Sequence, residues 1–307
     1  MDSKNARKIT VVGTGVIGVG WAVRFLAAGF DVVATDPSPG AKHRLREMVA
    51  RNLKRVDVPT QVGTLAFESD LAKAVAGTVL VQESAPEDES FKIGLLAELD
   101  HLCDPDCIIA SSTSALLPSA LQSAMARPER FIVGHPFNPV YLVPLVEIVP
   151  GSRTSAKVVE RARRLYAETG MHPIVLRKEV HGFLGNRLQD ALWREAMWAV
   201  HDGIASTEEI DTAVTHALGI RWALFGPYMV LNLAGGAGGI RHTLHHFGPS
   251  NDLPTTRLKA PELTASLQEA IIVGCESQMG SHSNADLEER RDGFLRELAE
   301  LRAKYAI

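Results

Sequence analysis

Residues 8–18 read KITVVGTGVIG, an apolar run of strand type that passes directly into glycines at the spacing G-x-G-x-x-G. Gly13 allows a tight turn, Gly15 lets a ligand approach the backbone closely, and Gly18 lets the following helix pack near the strand. The first turn of that helix presents free N–H groups, which favour a phosphate. The ligand contacts are expected from the turn itself, namely Gly13, Thr14, Gly15, Val16, Ile17 and Gly18.

Asp36 ends the next apolar run and lies 18 residues beyond Gly18. A carboxylate at that position accepts hydrogen bonds from both hydroxyls of an adenosine ribose and repels a 2′-phosphate. The three residues after Asp36 include no arginine, although Lys42 and Arg44 lie close in sequence. The segment therefore predicts a dinucleotide site for NAD rather than NADP.

Outward from this segment, strand-type runs alternate with amphipathic helical segments. The predicted strands are residues 8–13, 31–36, 79–82, 107–111, 131–134, 145–149 and 173–177. Alternating strands and helices indicate crossover connections and a mainly parallel sheet. The predicted fold class is α/β, with a Rossmann-type, mainly parallel sheet domain over residues 1–182.

After residue 182 the apolar residues follow helical spacing. Leu184, Leu188 and Leu192 begin a stripe that repeats every four residues. Ser206 and Glu209 have the spacing of a capping box at the start of the next helix. These patterns predict an all-helical C-terminal domain over residues 183–307.

The composition excludes several classes of partner. The chain has 307 residues, a formal net charge of −4 and three cysteines. This charge gives no reason to expect nucleic acid, and so few cysteines indicate reduced thiols and a cytoplasmic location. No apolar stretch reaches the about 20 residues of a membrane span, so no membrane partner is expected. His242, His245 and His246 have no completing Cys, Asp or Glu nearby, so no metal is expected.

His135 follows the predicted strand 131–134, and ligands of parallel sheets bind outside the carboxyl ends of strands. Oxidation of an alcohol by hydride transfer needs a base for the hydroxyl proton, a role that histidine often fills. Glu147 lies in the apolar strand 145–149, where a carboxylate needs a hydrogen-bonding partner. An imidazole would satisfy this need. The spacing fits a structural His–Glu pair as well as a catalytic one.

Several spaced motifs resemble the 3-hydroxyacyl-CoA dehydrogenase family. GHPFNP at residues 134–139 and LVE at residues 145–147 resemble the family signature H-x-F-N-P followed by L-V-E. The other similar segments are APED at residues 85–88 with Lys92, SSTS at residues 111–114, and GFLGNRL at residues 182–188. The resemblance extends over nearly the whole chain.

This resemblance implies an NAD-dependent oxidation of a small-molecule 3-hydroxy acid. His135 would be the general base, oriented by Glu147, and Ser114 and Asn186 would hydrogen-bond the reacting oxygen. The residues implied at the cofactor site, besides those derived above, are Glu87, Lys92, Ser112 and Asn138. The resemblance also implies a homodimer that forms through the helical domain.

The chain departs from the acyl-CoA enzymes of the family. Residues 55–68 are short and lack the lysine-rich helical extension that contacts CoA, and Ser112 stands where the family usually has Asn. GIRWA at residues 219–223 resembles the members that act on L-gulonate or L-carnitine. Residues 135–142, 233–236 and 260–264 are more similar to those that act on L-carnitine. Oxidation of L-carnitine to 3-dehydrocarnitine is therefore expected, with L-gulonate or a short-chain 3-hydroxyacyl-CoA as the alternative substrate.

A trimethylammonium group such as that of carnitine binds on aromatic faces, and a carboxylate pairs with arginine. The aromatic candidates are Phe137, Tyr141, Trp193, Trp198, Trp222, Phe225 and Tyr228, and the arginine candidates are Arg187, Arg194 and Arg221.

A hypothesis of another class is a non-catalytic NAD-binding protein, either a redox sensor or a lens-type structural protein. The combination of Ser114, His135, Glu147 and Asn186 argues against it, because a protein that only binds NAD needs no base and no carboxylate to orient that base.

Overall fold

The computed structural model describes residues 7–56, 62–223, 225–247, 259, 262 and 264–304. The chain divides into two compact units between Asn186 and Arg187. Residues 57–61 of the segment 55–68, and residues 260, 261 and 263 of the segment 260–264, lie outside the described residues.

Eight strands of the described first unit form one sheet. They are Lys8–Val12 (β1), Asp31–Thr35 (β2), Leu65–Phe67 (β3), Leu80–Glu83 (β4), Ile108–Ser111 (β5), Phe131–Pro136 (β6), Leu145–Pro150 (β7) and His172–Val175 (β8). Their order across the sheet is β3-β2-β1-β4-β5-β6-β7-β8. Strands β1 to β6 are parallel, β7 is antiparallel to β6, and β8 is parallel to β7. The predicted mainly parallel sheet is confirmed. The three-residue strand β3 was missed because so short a run carries no pattern.

Helices cover both faces of this sheet. They are Val16–Ala27 (α1), Ala41–Leu53 (α2), Leu71–Val75 (α3), Glu89–Leu102 (α4), Pro118–Leu121 (α5) and Ala156–Glu168 (α6). One apolar core, around Trp21 and Leu45, packs α1, α2 and α6 on the sheet, and a second core, around Leu96, packs α3, α4 and α5 on the other face. Because side chains alternate along a strand, Val11 enters the first core and Val12 the second.

The strand order reverses at β1, which lies between β2 and β4. Ligands of such sheets bind outside the carboxyl ends of the strands at this point. The backbone there leaves no room for side chains. A Cβ at Gly13, where φ is +90°, would lie 2.6 Å from the carbonyl oxygen of Ser84, and a Cβ at Gly18 would lie 1.9 Å from the carbonyl oxygen of Gly13. This packing explains why both positions need glycine.

The second unit is helical, with no strand among its described residues. Its helices, the first of which begins two residues before the unit boundary, are Gly185–His201 (α7), Thr207–Ala213 (α8), Gly219–Trp222 (α9), Pro227–Ala234 (α10), Gly239–Phe247 (α11), Ala265–Met279 (α12) and Asn284–Lys304 (α13). The predicted capping box is confirmed, since the Glu209 N–H donates to Ser206 Oγ (3.2 Å) and the Ser206 N–H donates to Glu209 Oε2 (2.8 Å). Within the described ranges, no helix has the length and apolar character to cross a membrane.

The apolar stripe predicted for the first helix of this unit runs along α7. Leu188 is 60% exposed and Leu192 is 38% exposed, so the described residues cover the stripe only in part. The same face of α7, through Leu192 and Val200, lines a cavity of about 250 Å³ against α8.

We expect Gly18→Ala to destabilise the first unit, because the new methyl group meets a backbone carbonyl that cannot rotate away. Overpacking of this kind costs about 1–3 kcal/mol. Gly94→Ala, in the middle of α4, is the matched control because its Cβ would meet nothing within 4 Å. Alanine favours a helix over glycine by about 0.8–1.0 kcal/mol, so this control should be neutral or stabilising. Urea unfolding measures both variants, and a Gly18→Ala protein as stable as the parent would contradict the packing argument.

Candidate active site

Polar groups from five chain segments lie at the carboxyl-terminal edge of the parallel strands. In the order of the strands across the sheet they are Asp36 after β2, the glycine turn after β1, Ser84 after β4, Ser112 after β5 and His135 near the end of β6. Because these strands are parallel, their carboxyl ends share one edge. The sequence placed most of these residues at strand ends, and the topology brings them together.

The start of α1 has the features of a phosphate cradle. Its N-cap, Gly15, provides no side-chain cap for the first turn. A Cβ at Gly15 would meet no atom within 4 Å, so the space in front of the helix is open. The first-turn N–H groups and the helix dipole favour an anion at this position. These residues fit the pyrophosphate of a dinucleotide.

Asp36 is held at the mouth of this turn. Its Oδ2 accepts hydrogen bonds from the backbone N–H (2.7 Å) and the hydroxyl (2.9 Å) of Thr14, and its Oδ1 accepts one from the N–H of Ser38 (2.8 Å). Partial burial acts to raise the pKa of the Asp36 carboxyl, but these hydrogen bonds outweigh it and lower that pKa below its ordinary value. The group is therefore a fixed carboxylate, which suits ribose hydroxyls and opposes a 2′-phosphate.

His135 and Glu147 are direct cross-strand partners in the antiparallel pair β6–β7. His135 Nδ1 lies 2.8 Å from Glu147 Oε2, and the residues are 4% and 0% exposed. An ionised carboxylate only accepts hydrogen bonds, so in the neutral imidazole Nδ1 carries the proton and Nε2 keeps its lone pair. The arrangement therefore makes Nε2 available as a base.

The other carboxylate oxygen of Glu147 binds the start of α7. The N–H groups of Leu184 and Gly185 donate to Oε1 over 3.0 and 2.9 Å. A left-handed turn precedes these two donors, with φ of +72° at Gly182 and +51° at Phe183. A non-glycine residue in this region costs about 1–3 kcal/mol, so the surrounding packing must enforce it. Glu147 thus accepts hydrogen bonds on both of its oxygens.

Two phenyl rings hold the imidazole of His135 in place. The ring of Phe137 packs edge-on at 4.9 Å between centroids, and the fully buried ring of Phe183 lies at 5.4 Å. A Cβ at Gly185 would lie 2.2 Å from the ring of Phe137, so only glycine fits there. The rings and Glu147 together restrict the imidazole to one orientation.

Ser114 and Asn186, both predicted to contact substrate, are neighbours. The side-chain amide of Asn186 donates to the carbonyl oxygen of Ser114 (3.1 Å). Glu87 Oε1 accepts from the Ser114 N–H (2.8 Å) and from the hydroxyl of Thr113. Glu87, which was predicted to line the cofactor site, therefore also holds the loop that carries Ser114.

Lys92 lies beneath the edge of the sheet, 1% exposed. Its Nζ donates to Glu83 Oε1 (2.6 Å) and to the carbonyl oxygen of Ala85 (3.0 Å), and lies 3.6 Å from Glu87 Oε2. Glu83 is fully buried and also accepts a hydrogen bond from the hydroxyl of Ser111. The ammonium group therefore neutralises Glu83 and faces Glu87 from below.

The two other residues predicted at the cofactor site differ in their surroundings. Ser112 lies in a hydrogen-bonded cluster with Gln82 (2.8 Å) and Ser84 (2.9 Å). Asn138 is exposed beyond the end of β6, and its peptide bond to Pro139 is cis.

Sequence reasoning missed Glu83 and Phe183. The signal for Glu83 was available, since it is a charged residue in the apolar strand β4, as Glu147 is in β7. The left-handed conformation of Phe183 has no signal in the sequence except the glycine before it.

The candidate substrate-binding residues fall into both units. Tyr141 is 7% exposed and belongs to the core of the first unit. In the helical unit Trp193 and Tyr228 are exposed, and the Trp198 indole donates to the carbonyl oxygen of Lys259 (2.6 Å). Among the residues that the structure describes, no three His, Cys, Asp or Glu side chains are grouped to hold a metal ion.

Two family models match the chain. The model of the 3-hydroxyacyl-CoA dehydrogenase NAD-binding domain matches residues 8–180, and that of the 3-hydroxyacyl-CoA dehydrogenase C-terminal domain matches residues 182–274. The first match contains the glycine turn, Asp36, His135 and Glu147. The cofactor is therefore NAD, as the sequence predicts.

Curated relatives match almost the full length. The L-carnitine dehydrogenase of Bacillus cereus is 48% identical over 310 residues, which cover 99% of this chain and 95% of that protein. The L-carnitine dehydrogenase of Oceanobacillus iheyensis is 47% identical over 307 residues, which cover 97% of this chain and 99% of that protein.

Solved structures agree. An NAD+-dependent 5-formyl-3-hydroxy-2-methylpyridine 4-carboxylic acid 5-dehydrogenase is 31% identical with a TM-score of 0.82, and the match covers 96% of this chain and 97% of that chain. The (S)-3-hydroxybutyryl-CoA dehydrogenase of Ralstonia eutropha is 28% identical with a TM-score of 0.63, and the match covers 78% and 85%. The resemblance read from the sequence motifs is confirmed: the chain is an NAD-dependent dehydrogenase that belongs to the 3-hydroxyacyl-CoA dehydrogenase family.

Proposed function

We propose that this dehydrogenase oxidises the 3-hydroxyl group of L-carnitine to give 3-dehydrocarnitine. The observation that carries the proposal is the identity of 48% and 47%, over nearly the whole chain, to proteins named L-carnitine dehydrogenase. A base held by a buried carboxylate at the NAD edge of the sheet supports the chemistry, and it argues against a protein that only binds NAD.

In the proposed mechanism His135 Nε2 takes the proton of the substrate hydroxyl. Nicotinamide, when bound, would accept the hydride from the carbon that carries this hydroxyl group. Glu147 stabilises the imidazolium because its Oε2 already holds Nδ1 (2.8 Å). Ser114 and Asn186 hydrogen-bond the reacting oxygen, and the bond between them (3.1 Å) keeps them together.

We propose that the cofactor binds along the edge of the sheet described above. The pyrophosphate binds at the glycine turn, Gly13 to Gly18, and the adenosine ribose at Asp36. The remaining cofactor contacts that we propose are Glu87, Lys92, Ser112 and Asn138, with Lys92 acting through Glu87 because its own ammonium group is buried.

Recognition of a quaternary ammonium group needs aromatic faces that solvent can reach. Trp193 and Tyr228 are 53% and 80% exposed and meet this requirement, whereas the buried Tyr141 does not. We assign the substrate carboxylate to an arginine of the helical unit, with Arg187, Arg194 and Arg221 as candidates.

We also propose that the protein is a cytoplasmic homodimer paired through its helical unit. Most of the large apolar side chains that the described chain leaves exposed belong to this unit, including Leu188, Ile204 and Ile220. Contiguous exposed apolar surface is typical of an interface. Cys103 and Cys107 are free and buried, as expected where thiols stay reduced.

We expect His135→Gln to lower kcat by a factor of about 10²–10⁴, the usual contribution of an acid–base group. Glutamine retains a hydrogen bond to Glu147 but has no basic nitrogen. The dissociation constant of NADH, measured by fluorescence titration, should stay nearly unchanged because the cofactor contacts are elsewhere. A variant that keeps more than about a tenth of the parent activity would show that His135 is not the base.

The parent enzyme should prefer NAD to NADP, and Asp36→Ala should narrow this preference mainly by raising the dissociation constant of NAD. The carboxylate accepts hydrogen bonds from the ribose hydroxyls of NAD and repels the 2′-phosphate of NADP. Its removal therefore weakens the binding of NAD and relieves the repulsion of NADP. Asp31→Ala, the matched control at the opposite end of β2, should leave the preference unchanged. Equal kcat/KM for both cofactors in the parent enzyme would contradict this role of Asp36.

The substrate assignment predicts that kcat/KM for L-carnitine exceeds that for L-gulonate, 3-hydroxybutyryl-CoA and 3-hydroxybutyrate. The last compound lacks the trimethylammonium group, whose cation–π binding is worth about 2 kcal/mol when desolvated. NADH absorbance measures all four rates. Comparable kcat/KM values for L-carnitine and 3-hydroxybutyrate would exclude a binding site for the cation and contradict the assignment of L-carnitine as the substrate. Activity on either compound would still support the dehydrogenase chemistry.

A further inference from the structure

A chain of hydrogen bonds crosses the sheet beneath the middle of the NAD edge, and Ser112 is its one member among the cofactor contacts proposed above. Its members are Tyr166, Gln82, Ser112 and Ser84. The Tyr166 hydroxyl lies 2.6 Å from Gln82 Oε1, Gln82 Nε2 lies 2.8 Å from Ser112 Oγ, and the two serine hydroxyls lie 2.9 Å apart. Tyr166 and Gln82 are fully buried.

The direction of the first two bonds follows from their surroundings. Gln82 Nε2 also lies 3.3 Å from the carbonyl oxygen of Gly134. A reversed amide would bring two oxygens together there, so Nε2 must face Gly134 and Oε1 must face Tyr166. Burial raises the pKa of Tyr166 far above its ordinary value, so the phenol keeps its proton and donates it to Oε1.

The direction of the third bond follows from the capacity of a hydroxyl oxygen. Ser112 Oγ accepts from Gln82 Nε2 and also from the indole N–H of Trp21 (3.1 Å). A serine oxygen accepts two hydrogen bonds and donates one. Both of its acceptor positions are occupied, so Ser112 must donate its proton to Ser84. The cofactor contact proposed above for Ser112 is therefore made through Ser84.

Ser84 therefore accepts a hydrogen bond from Ser112, and its own hydroxyl proton is not used in this row of hydrogen bonds. It directly follows β4 and is half-buried, and its carbonyl group lies against Gly13 in the glycine turn. No side-chain hydrogen bond of Ser84 other than that with Ser112 occurs in the described part of the molecule. Its hydroxyl proton is thus free for a ligand at the sheet edge.

We infer that the Ser84 hydroxyl donates a hydrogen bond to a hydroxyl oxygen of the nicotinamide ribose of NAD. Across the strands, Ser84 lies between the glycine turn of the pyrophosphate and His135 at the hydride-transfer centre. The ribose on the nicotinamide side occupies the same place in the cofactor. The inference rests on the proposed placement of NAD along this edge and is independent of which acid is oxidised.

The test uses two ligands that differ in this ribose. ADP-ribose contains it without the nicotinamide, and ADP lacks it. Isothermal titration calorimetry on the full chain should show that Ser84→Ala raises the dissociation constant of ADP-ribose, and that of NADH, by about three- to tenfold, the value of one hydrogen bond. The dissociation constant of ADP should not change. Ser123→Ala, at an exposed position away from this edge, is the matched control. It should change none of the three dissociation constants.

Two results would overturn the inference: unchanged affinity of Ser84→Ala for ADP-ribose, or an equal loss for ADP and ADP-ribose. If Ser84→Ala does not fold, Ser84→Cys replaces it with the same expectation, because a thiol is a weaker donor. A parent protein that binds neither ADP nor ADP-ribose would overturn the cofactor placement as well. Failure to oxidise L-carnitine, measured separately, would leave the binding result intact.

Discussion

The buried carboxylate of Glu147 is the group on which the site depends most. An ionised carboxylate without partners is very costly inside a protein, so its position must supply donors. Its Oε2 receives the imidazole of His135, and its Oε1 receives the N–H groups of Leu184 and Gly185. One group thereby determines the tautomer of the imidazole and holds the first turn of α7. The left-handed backbone at Phe183 directly precedes the two N–H groups that donate to Glu147 Oε1.

The second constraint is the close packing of backbone at the switch point of the sheet. Gly13 and Gly18 touch backbone atoms that any side chain would displace. The space before Gly15, in the same turn, is open to an anion at the helix N-terminus. Close backbone packing and an open position for an anion therefore belong to one short segment at this edge.

Beneath the edge, polar side chains are paired in ways that position the groups above them. The Lys92 ammonium group pairs with Glu83 and also lies 3.6 Å from Glu87 Oε2, and Glu87 holds the loop of Ser114. In the row of hydrogen bonds from Tyr166 to Ser84, the partners of each group likewise determine which group donates. Such satisfied networks are rigid, because each member has a single low-energy orientation. Preorganisation of this kind suits hydride transfer, in which two ligands must meet in one geometry.

The sequence by itself determined the α/β class, the glycine turn and Asp36, and it marked Glu147 as a buried charge in need of a partner, because short-range spacing and local polarity encode strands, turns and buried charges. It could not reveal that β7 runs antiparallel to β6, which makes His135 and Glu147 direct neighbours. Nor could it show that Lys92 is buried against Glu83, or that Ser84 meets Ser112 from another strand. These contacts join residues of different strands and helices. Strand order, register and helix packing decide them, and those arise only when the whole sheet assembles.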